Sequence, residues 1–522
     1  MAIKNMFNFI PMSKVKSNVF DLSHWCMSSF NMGELIPATW VEMLPGDKFD
    51  ISTEKFLRFA PLASPIMHEV NTYCHWYFVP TRILWTAFPE WITGESSVAA
   101  PYMNGLEDMD PGTLGDYLGY SQYTGAGGLD FNVSPLPIAA YCKIFDEYYR
   151  DQNLQSETYF NVVNGQNALY EGVGAGTPFK RAWNHDYFTS CLPFAQQEGA
   201  VEVPLTETQT VDVTLKSGTP IPVQSFRKVS DGSLISDGNV RSELTTGIIE
   251  DGTSDENAVI DLGTSHEVDV QGSATTINTL RRAFRLQEWL EKTARGGRRY
   301  IEHILSHFGV KSSDARLQRP EYICGSKGRM VISEVLSSAQ TVDQSSNDVP
   351  IGQMAGHGVS MVGSGKKFYR AEEHGYLMCI VSVMPKTAYS QGIHKSLQRF
   401  DKLDYAWPSF AQIGEQEVKL SELYIGAEAP ATLAETFGYI PRYSEYKTLP
   451  DKISGEFKDS LEFWTLARKF SAKPLLNEEF IECDPDHRIF AVTDPTVHKV
   501  YMQLKVKIKA NRKLPMWGIP TI

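Results

Sequence analysis

The sequence has no CxxC pair, and its seven cysteines, at 26, 74, 142, 191, 324, 379 and 483, are odd in number and dispersed. That excludes a disulfide framework and reads as free buried thiols in a reducing compartment. No window of about 18 uncharged apolar residues occurs, so no membrane span is expected. Residues 1–12 lack a long apolar core followed by small residues, and no signal peptide is read there. Positive charge is also short: the formal net charge is −13, so any nucleic-acid contact must come from local patches.

Catalytic and ligand signatures are missing as well. His303 and His307 are four apart, but Ile304 stands where a zinc-protease helix needs Glu. Cys74-His75 with His68 lacks a second ligand pair. Gly363-Ser364-Gly365-Lys366-Lys367 fails as a phosphate loop, with Ser360 where a glycine is needed and Lys367 where Ser or Thr is needed. Asp251, Asp255 and Glu256 have no EF-hand spacing. The chain is expected to hold no metal and no cofactor, and not to be an enzyme.

What is present is a pattern of short elements. The 28 prolines and 39 glycines are spread over all 522 residues, as in sandwiches and jelly rolls with long loops. Leu44-Pro45-Gly46-Asp47 is a turn by residue type. The aromatic, β-rich run 72–79, ended by Pro80, predicts a buried strand. Spacing of Ala140, Ile144 and Tyr148 predicts a helix over 138–151, and 276–293 predicts another that buries Leu280, Phe284 and Trp289. A further short helix is expected over 298–308.

The sharpest change in composition covers 198–276, which has no Cys, Trp or Tyr and a single Phe, Phe226. Alternation at 201–203, 211–215 and 268–270, with Asp-Gly turns at 231, 237 and 251, predicts an acidic, β-rich, solvent-facing insertion. A disordered loop is the alternative. Domain boundaries are therefore expected at 1–197, 198–276 and 277–522.

Two basic clusters stand out. One holds Arg281, Arg282, Arg285, Lys292, Arg295, Arg298 and Arg299. In the other, Leu504, Val506, Ile508 and Ala510 alternate with Lys505, Lys507 and Lys509, preceded by Lys499 and followed by Arg512 and Lys513, with no acid after Asp494. One face of that strand must meet a core while the other is a row of ammonium groups. Lys4, Lys14 and Lys16 lie in a polar N-terminal stretch that reads as an arm or as a frayed terminus. Lys4, Lys14, Lys16, Lys505, Lys507, Lys509, Arg512 and Lys513 are the candidate contacts to DNA phosphates. A solvated strand face, or ion pairs to a neighbouring subunit, is the competing explanation.

Several stretches carry a family resemblance. Phe20-Asp21-Leu22-Ser23-His24, Tyr77-Phe78-Val79-Pro80-Thr81-Arg82 and Asp186-Tyr187-Phe188-Thr189-Ser190-Cys191 come first. Ala294-Arg295-Gly296-Gly297, Ser306-His307-Phe308-Gly309-Val310 and Asp314-Ala315-Arg316-Leu317-Gln318-Arg319-Pro320 are the densest. Glu373-His374-Gly375-Tyr376, Ile413-Gly414-Glu415-Gln416-Glu417 and Pro441-Arg442-Tyr443 follow. In this order the chain resembles the major capsid proteins of the Microviridae, of the gokushovirus-like branch. The coverage is weakest over 84–185 and 198–276.

The resemblance implies an all-β fold, an eight-stranded antiparallel viral jelly roll with long loop insertions and a few short helices. It implies sixty copies in a T=1 shell around circular single-stranded DNA, in a virion assembled in the host cytoplasm. The implied partners are copies of the chain, the genome, a host cell-surface receptor, a minor pilot protein and a small internal DNA-binding protein. The insertion, with Asp231, Asp237, Asp251, Asp255 and Glu256, maps by position and composition onto the protrusion suspected of host attachment. The alternatives from other classes are a β-sandwich carbohydrate-binding protein or glycosidase, and a phage spike protein.

Overall fold

A computed structural model describes residues 17–104, 106–123, 131–197, 277–338, 352 and 354–517, and the backbone of seven short strands within 198–276. The chain divides into two units, one of 1–197 with 291–522 and the other of 198–290.

The first unit begins with β1 (Asn18–Asp21), β2 (His24–Phe30), β3 (Ile36–Met43), β4 (Lys48–Phe59) and β5 (Val70–Pro80). The second holds β6 (Val213–Leu215), β7 (Ser225–Lys228), β8 (Leu234–Ile235), β9 (Val240–Ser242), β10 (Ile249–Asp251), β11 (Glu256–Asp261) and β12 (His266–Val268). The first resumes with β13 (Glu321–Arg329), β14 (Val331–Leu336), β15 (Met354–Gly363), β16 (Lys367–Arg370), β17 (Gly375–Pro385), β18 (Glu415–Lys419), β19 (Thr436–Pro441) and β20 (Val500–Arg512). Every pairing between these strands is antiparallel. The protein is mostly antiparallel β with few helices.

Two sheets organise the first unit. A seven-stranded sheet runs β1-β20-β4-β15-β14, with β2 joining β1 along β20 and β16 pairing with β4. A four-stranded sheet runs β13-β5-β17-β3. One core lies between them: Phe49, Ile51, Leu57, Leu504, Val506 and Ile508 from the first, Trp76, Phe78, Leu377, Cys379 and Val381 from the second. Each such side chain contributes roughly 1.5–3 kcal/mol by leaving water. The alternation of β20 follows directly, since Val500, Met502, Leu504, Val506, Ile508 and Ala510 are all buried and the residues between them are not.

β5 and β17 are buried on nearly every residue. Their second face supplies Tyr77, Val79, Tyr376, Met378 and Ile380 to another core, built with the helix Leu136–Tyr148. Strands covered on both sides read as continuous apolar runs, which is the reason 72–79 does not alternate. Tyr141 pins this helix down: its hydroxyl donates to the Leu35 carbonyl at 2.8 Å and accepts from the Phe179 amide at 3.0 Å. Among the described residues the two sheets thus differ in kind, one covered on its outer side and the other not.

Several local expectations meet their outcome here. The helix expected at 276–293 spans Ile277–Gly296, but its buried positions are Ala283, Leu290, Thr293 and Ala294, while Phe284 is 66% and Trp289 45% exposed. Size alone does not decide which way an aromatic points: Phe284 and Trp289 lie off the buried stripe, and Leu280 is only partly buried. Gly363-Ser364-Gly365-Lys366 forms the turn between β15 and β16, where the Ser364 hydroxyl accepts from the Thr53 amide at 2.8 Å. Gly46 adopts φ +89° in the turn before β4, a conformation open to glycine at little cost. All seven cysteines are free, five of them buried.

Within the second unit, β8-β7-β11-β10-β9 form one sheet and β12-β6 a two-stranded ribbon. β6 falls within the alternation expected at 211–215, and β12 meets that at 268–270 only at Val268; positions 211, 212, 269 and 270 lie outside the described residues. The expected strand at 201–203 lies outside the described residues.

Candidate nucleic-acid interface

β20 lies between β1 and β2 on one side and β4 on the other, so its outward residues sit mid-sheet. In register, Lys505 faces Trp25 and Glu54, Lys507 faces Ser52, and Lys509 faces Asp21 and Asp50. Lys505 and Lys509 are exposed and Lys507 is half-buried. Alternation on β4 brings Lys48 and Arg58 to the same side, and β16 adds Arg370 opposite Lys48. These cations outnumber the carboxylates among them, Asp21, Asp50 and Glu54.

Those carboxylates temper the row. Lys507 forms an ion pair with Glu54; the Lys507 ammonium beside it, with Lys505 further off, holds the Glu54 carboxyl below its usual range. Asp50 pairs with Lys366 at 3.3 Å. The Ser23 hydroxyl and amide hold the Asp21 carboxyl down, with a smaller contribution from Lys509. An exposed pair is worth about 0–1 kcal/mol and weakens with salt, so a polyanion can displace these partners.

The remaining sequence-derived candidates do not all share this face. Arg512 turns inward: its Nε is 2.9 Å from Asp47 Oδ2, its guanidinium lies 5.2 Å from the Phe49 ring centre, and it reaches the Glu42 carbonyl. Lys513 is exposed just beyond it. Lys499, part of the same basic cluster, is fully buried and donates to the carbonyls of Asp494 and Val497 at 2.6 and 2.7 Å. Lys4, Lys14 and Lys16 lie outside the described residues, as do Asp231, Asp237 and Asp255. Asp251 and Glu256 face each other in register across β10 and β11.

Sequence reasoning missed the neighbours of the lysines. Trp25 and Met27 on β2, Tyr501 on β20 and Met361 on β15 stand 61%, 69%, 42% and 79% exposed. Residue type alone does not mark them as exposed. The signal that could have found them is parity: on β20, Tyr501 shares the phase of Lys505 and Lys507, which places it on the outer face.

No group of three or more His, Cys, Asp or Glu side chains suited to a metal occurs among the described residues, and no described helix is long and apolar enough to cross a membrane. Lys55, on the inner side of β4, is almost fully buried and donates to the Thr72 carbonyl at 2.9 Å and the Ser326 carbonyl at 3.2 Å. Burial pushes its ammonium down to about 8. Close by, Cys74 and Cys379 place their sulfurs 3.4 Å apart.

These features define a protein of packed antiparallel sheets that, among the described residues, leaves one basic sheet face open. The chain belongs to the capsid protein (F protein) family, whose model matches residues 9–522. It is 31% identical over 544 residues to capsid protein VP1 of Bdellovibrio phage phiMH2K, covering 99% of this chain and 97% of the relative. Capsid protein VP1 of Chlamydia phage 1 is 28% identical over 605 residues, covering 99% and 98%. Capsid protein VP1 of Spiroplasma virus 4 is 27% identical over 555 residues, covering 98% and 96%. The resemblance to Microviridae major capsid proteins therefore extends over the whole chain, and a family of this kind is structural rather than enzymatic.

Proposed function

We propose that sixty copies of this chain form a T=1 icosahedral shell around circular single-stranded DNA, with the outer face of the seven-stranded sheet turned toward the genome. The observation that carries this reading is the row Lys505, Lys507 and Lys509 on an open sheet face in a capsid-family chain whose net charge is −13. Phosphates bind such a row without sequence preference.

An eight-stranded viral jelly roll is the fold we assign to the shell domain. Taking β2, β3, β4, β5, β13, β15, β17 and β20 as successive core strands, one sheet reads first-eighth-third-sixth and the other second-seventh-fourth-fifth. That interleaving is what a rolled-up Greek-key hairpin produces. The remaining strands and helices are then insertions between core strands, except β1, which precedes the first of them.

The acidic insertion 198–276 is assigned to the outside of the shell, as a threefold protrusion used in host attachment through a surface receptor. Its composition supports this, since an acidic segment is repelled by an enclosed polyanion. A minor pilot protein and a small internal DNA-binding protein complete the proposed partners, and assembly in the host cytoplasm accords with seven free thiols.

Replacing Lys505, Lys507 and Lys509 together by Glu tests the genome-facing assignment. Assembled particles are expected to carry less DNA; normal genome content in them would sink the reading. Deleting 231–256 is expected to leave shells intact and impair adsorption. Loss of assembly would instead make the insertion a structural clamp.

A further inference from the structure

The lysine row shares its face with side chains that have no business with phosphate. Trp25 lies opposite Lys505 across β2 and β20, Met27 opposite Gln503, and Tyr501 opposite Arg58 across β20 and β4. One strand further, Phe56 lies opposite Met361. Trp25, Met27 and Met361 are each more than 60% exposed. Large exposed apolar side chains gathered on one sheet face among charged residues mark a surface that meets something.

The chemistry of the patch narrows its occupant. Ammonium and guanidinium groups take phosphate oxygens; indole and phenol faces take the faces of bases. Trp25 and Tyr501 are four strand positions apart in register, roughly 14 Å along the strand at about 3.4 Å per residue. They are therefore placed to meet different bases, with Met27 and Gln503 between them and Lys505 and Arg58 beside them. In a duplex the base faces are already stacked, so only a single strand can use both halves of this surface.

We propose that the outer face of the seven-stranded sheet is a base-stacking platform for single-stranded nucleic acid. Trp25 and Tyr501 take base faces, and Lys505, Lys507 and Arg58 take the flanking phosphates. The inference rests on the genome-facing assignment of this sheet and deepens it. Binding here discriminates unpaired from paired strands, which a charge row alone does not do. Glu54, paired with Lys507, holds the electrostatic part in check, so the aromatic part sets the preference.

The test uses the purified full-length chain with labelled oligo(dT) and a duplex of equal length, binding being followed by fluorescence anisotropy over a salt series. Trp25→Ala with Tyr501→Ala is expected to weaken oligo(dT) binding by about tenfold or more per side chain. Duplex binding and the salt slope should stay as in the parent. Trp25→Phe should keep most of the oligo(dT) affinity, which separates stacking from a folding defect. Replacing Lys505, Lys507 and Lys509 by Glu should weaken both ligands and flatten the salt slope. Unchanged oligo(dT) binding in the aromatic double variant overturns the platform while leaving the genome-facing assignment standing, provided the lysine variant loses affinity. Unchanged binding in the lysine variant overturns that assignment itself. If Trp25→Ala abolishes self-association with oligo(dT) binding intact, the face is a contact between copies and the platform is wrong.

Discussion

Arg512 and Asp47 close one end of the seven-stranded sheet, with Nε 2.9 Å from Oδ2 and the carboxylate almost wholly buried. The geometry is that of an ion pair rather than an aligned hydrogen bond. The same Oδ2 accepts the Leu44 amide at 3.0 Å, so one carboxylate holds both the turn into β4 and the end of β20.

Removing either partner strands the other charge in the protein. Arg512→Ala or Asp47→Ala is expected to destabilise the chain by about 3 kcal/mol. The double variant should recover part of that loss. Thermal unfolding of the three variants beside the parent checks this; equal stability in all four would show the pair to be incidental.

Lys55 should make stability pH-dependent in a particular direction. Its folded-state value of about 8 lies below its ordinary 10.5, so between those values the unfolded chain binds the proton and the folded chain does not. Stability from this group therefore rises as pH rises from about 8 to about 10.5, by up to about 3 kcal/mol. Lys55→Met removes the effect. The expected result is a variant more stable than the parent at pH 7, by a margin that shrinks toward pH 10, measured as paired melting temperatures; a constant margin would contradict it.

Tyr141→Phe keeps the ring and removes the hydroxyl that links Leu35 to Phe179. Two buried backbone groups lose a partner, and a cost of about 2 kcal/mol is expected. Urea unfolding measures it, and a change under about 0.5 kcal/mol, the size usual for surface substitutions, would mean the helix Leu136–Tyr148 is held by apolar packing alone.

Glycine matters at Gly33 and hardly at Gly94, although both have positive φ, +90° and +79°. A Cβ at Gly33 would fall 1.8 Å from the Cys483 carbonyl oxygen, whereas at Gly94 nothing lies within 4 Å. Gly94→Ala should cost about 1 kcal/mol, the backbone penalty alone. Gly33→Ala should prevent accumulation of soluble chain, since backbone must move to admit it. Comparable soluble yields from the two variants would contradict this.

The sequence made some of this legible and hid the rest for physical reasons. The period-two pattern of β20 showed which residues face the core and which face out, because lysines mark the outer phase without ambiguity. β2 offered no such mark: His24, Trp25, Cys26 and Met27 are apolar or amphipathic on both phases, so the exposed side of Trp25 was unreadable. Its register against β20 joins positions nearly a whole chain apart, and local patterns carry no information at that range. The helix Ile277–Gly296 misled in the opposite way, with Phe284 and Trp289 exposed where size suggested burial. Arg512 looked like Lys505 by charge; only the turn at Asp47, brought to it by β4, distinguishes them.

The place of β20 in the sheet has a consequence for synthesis. Among the described strands it comes latest in the chain, yet it fills the slot between β1 and β2 on one side and β4 on the other. Until the ribosome has delivered residues 500–512, that slot stands empty and the lysine row does not exist. A chain truncated before residue 500 lacks both an inner strand of the sheet and its proposed grip on nucleic acid. Closure of this sheet therefore waits on residues 500–512, however early β1, β2 and β4 have been made.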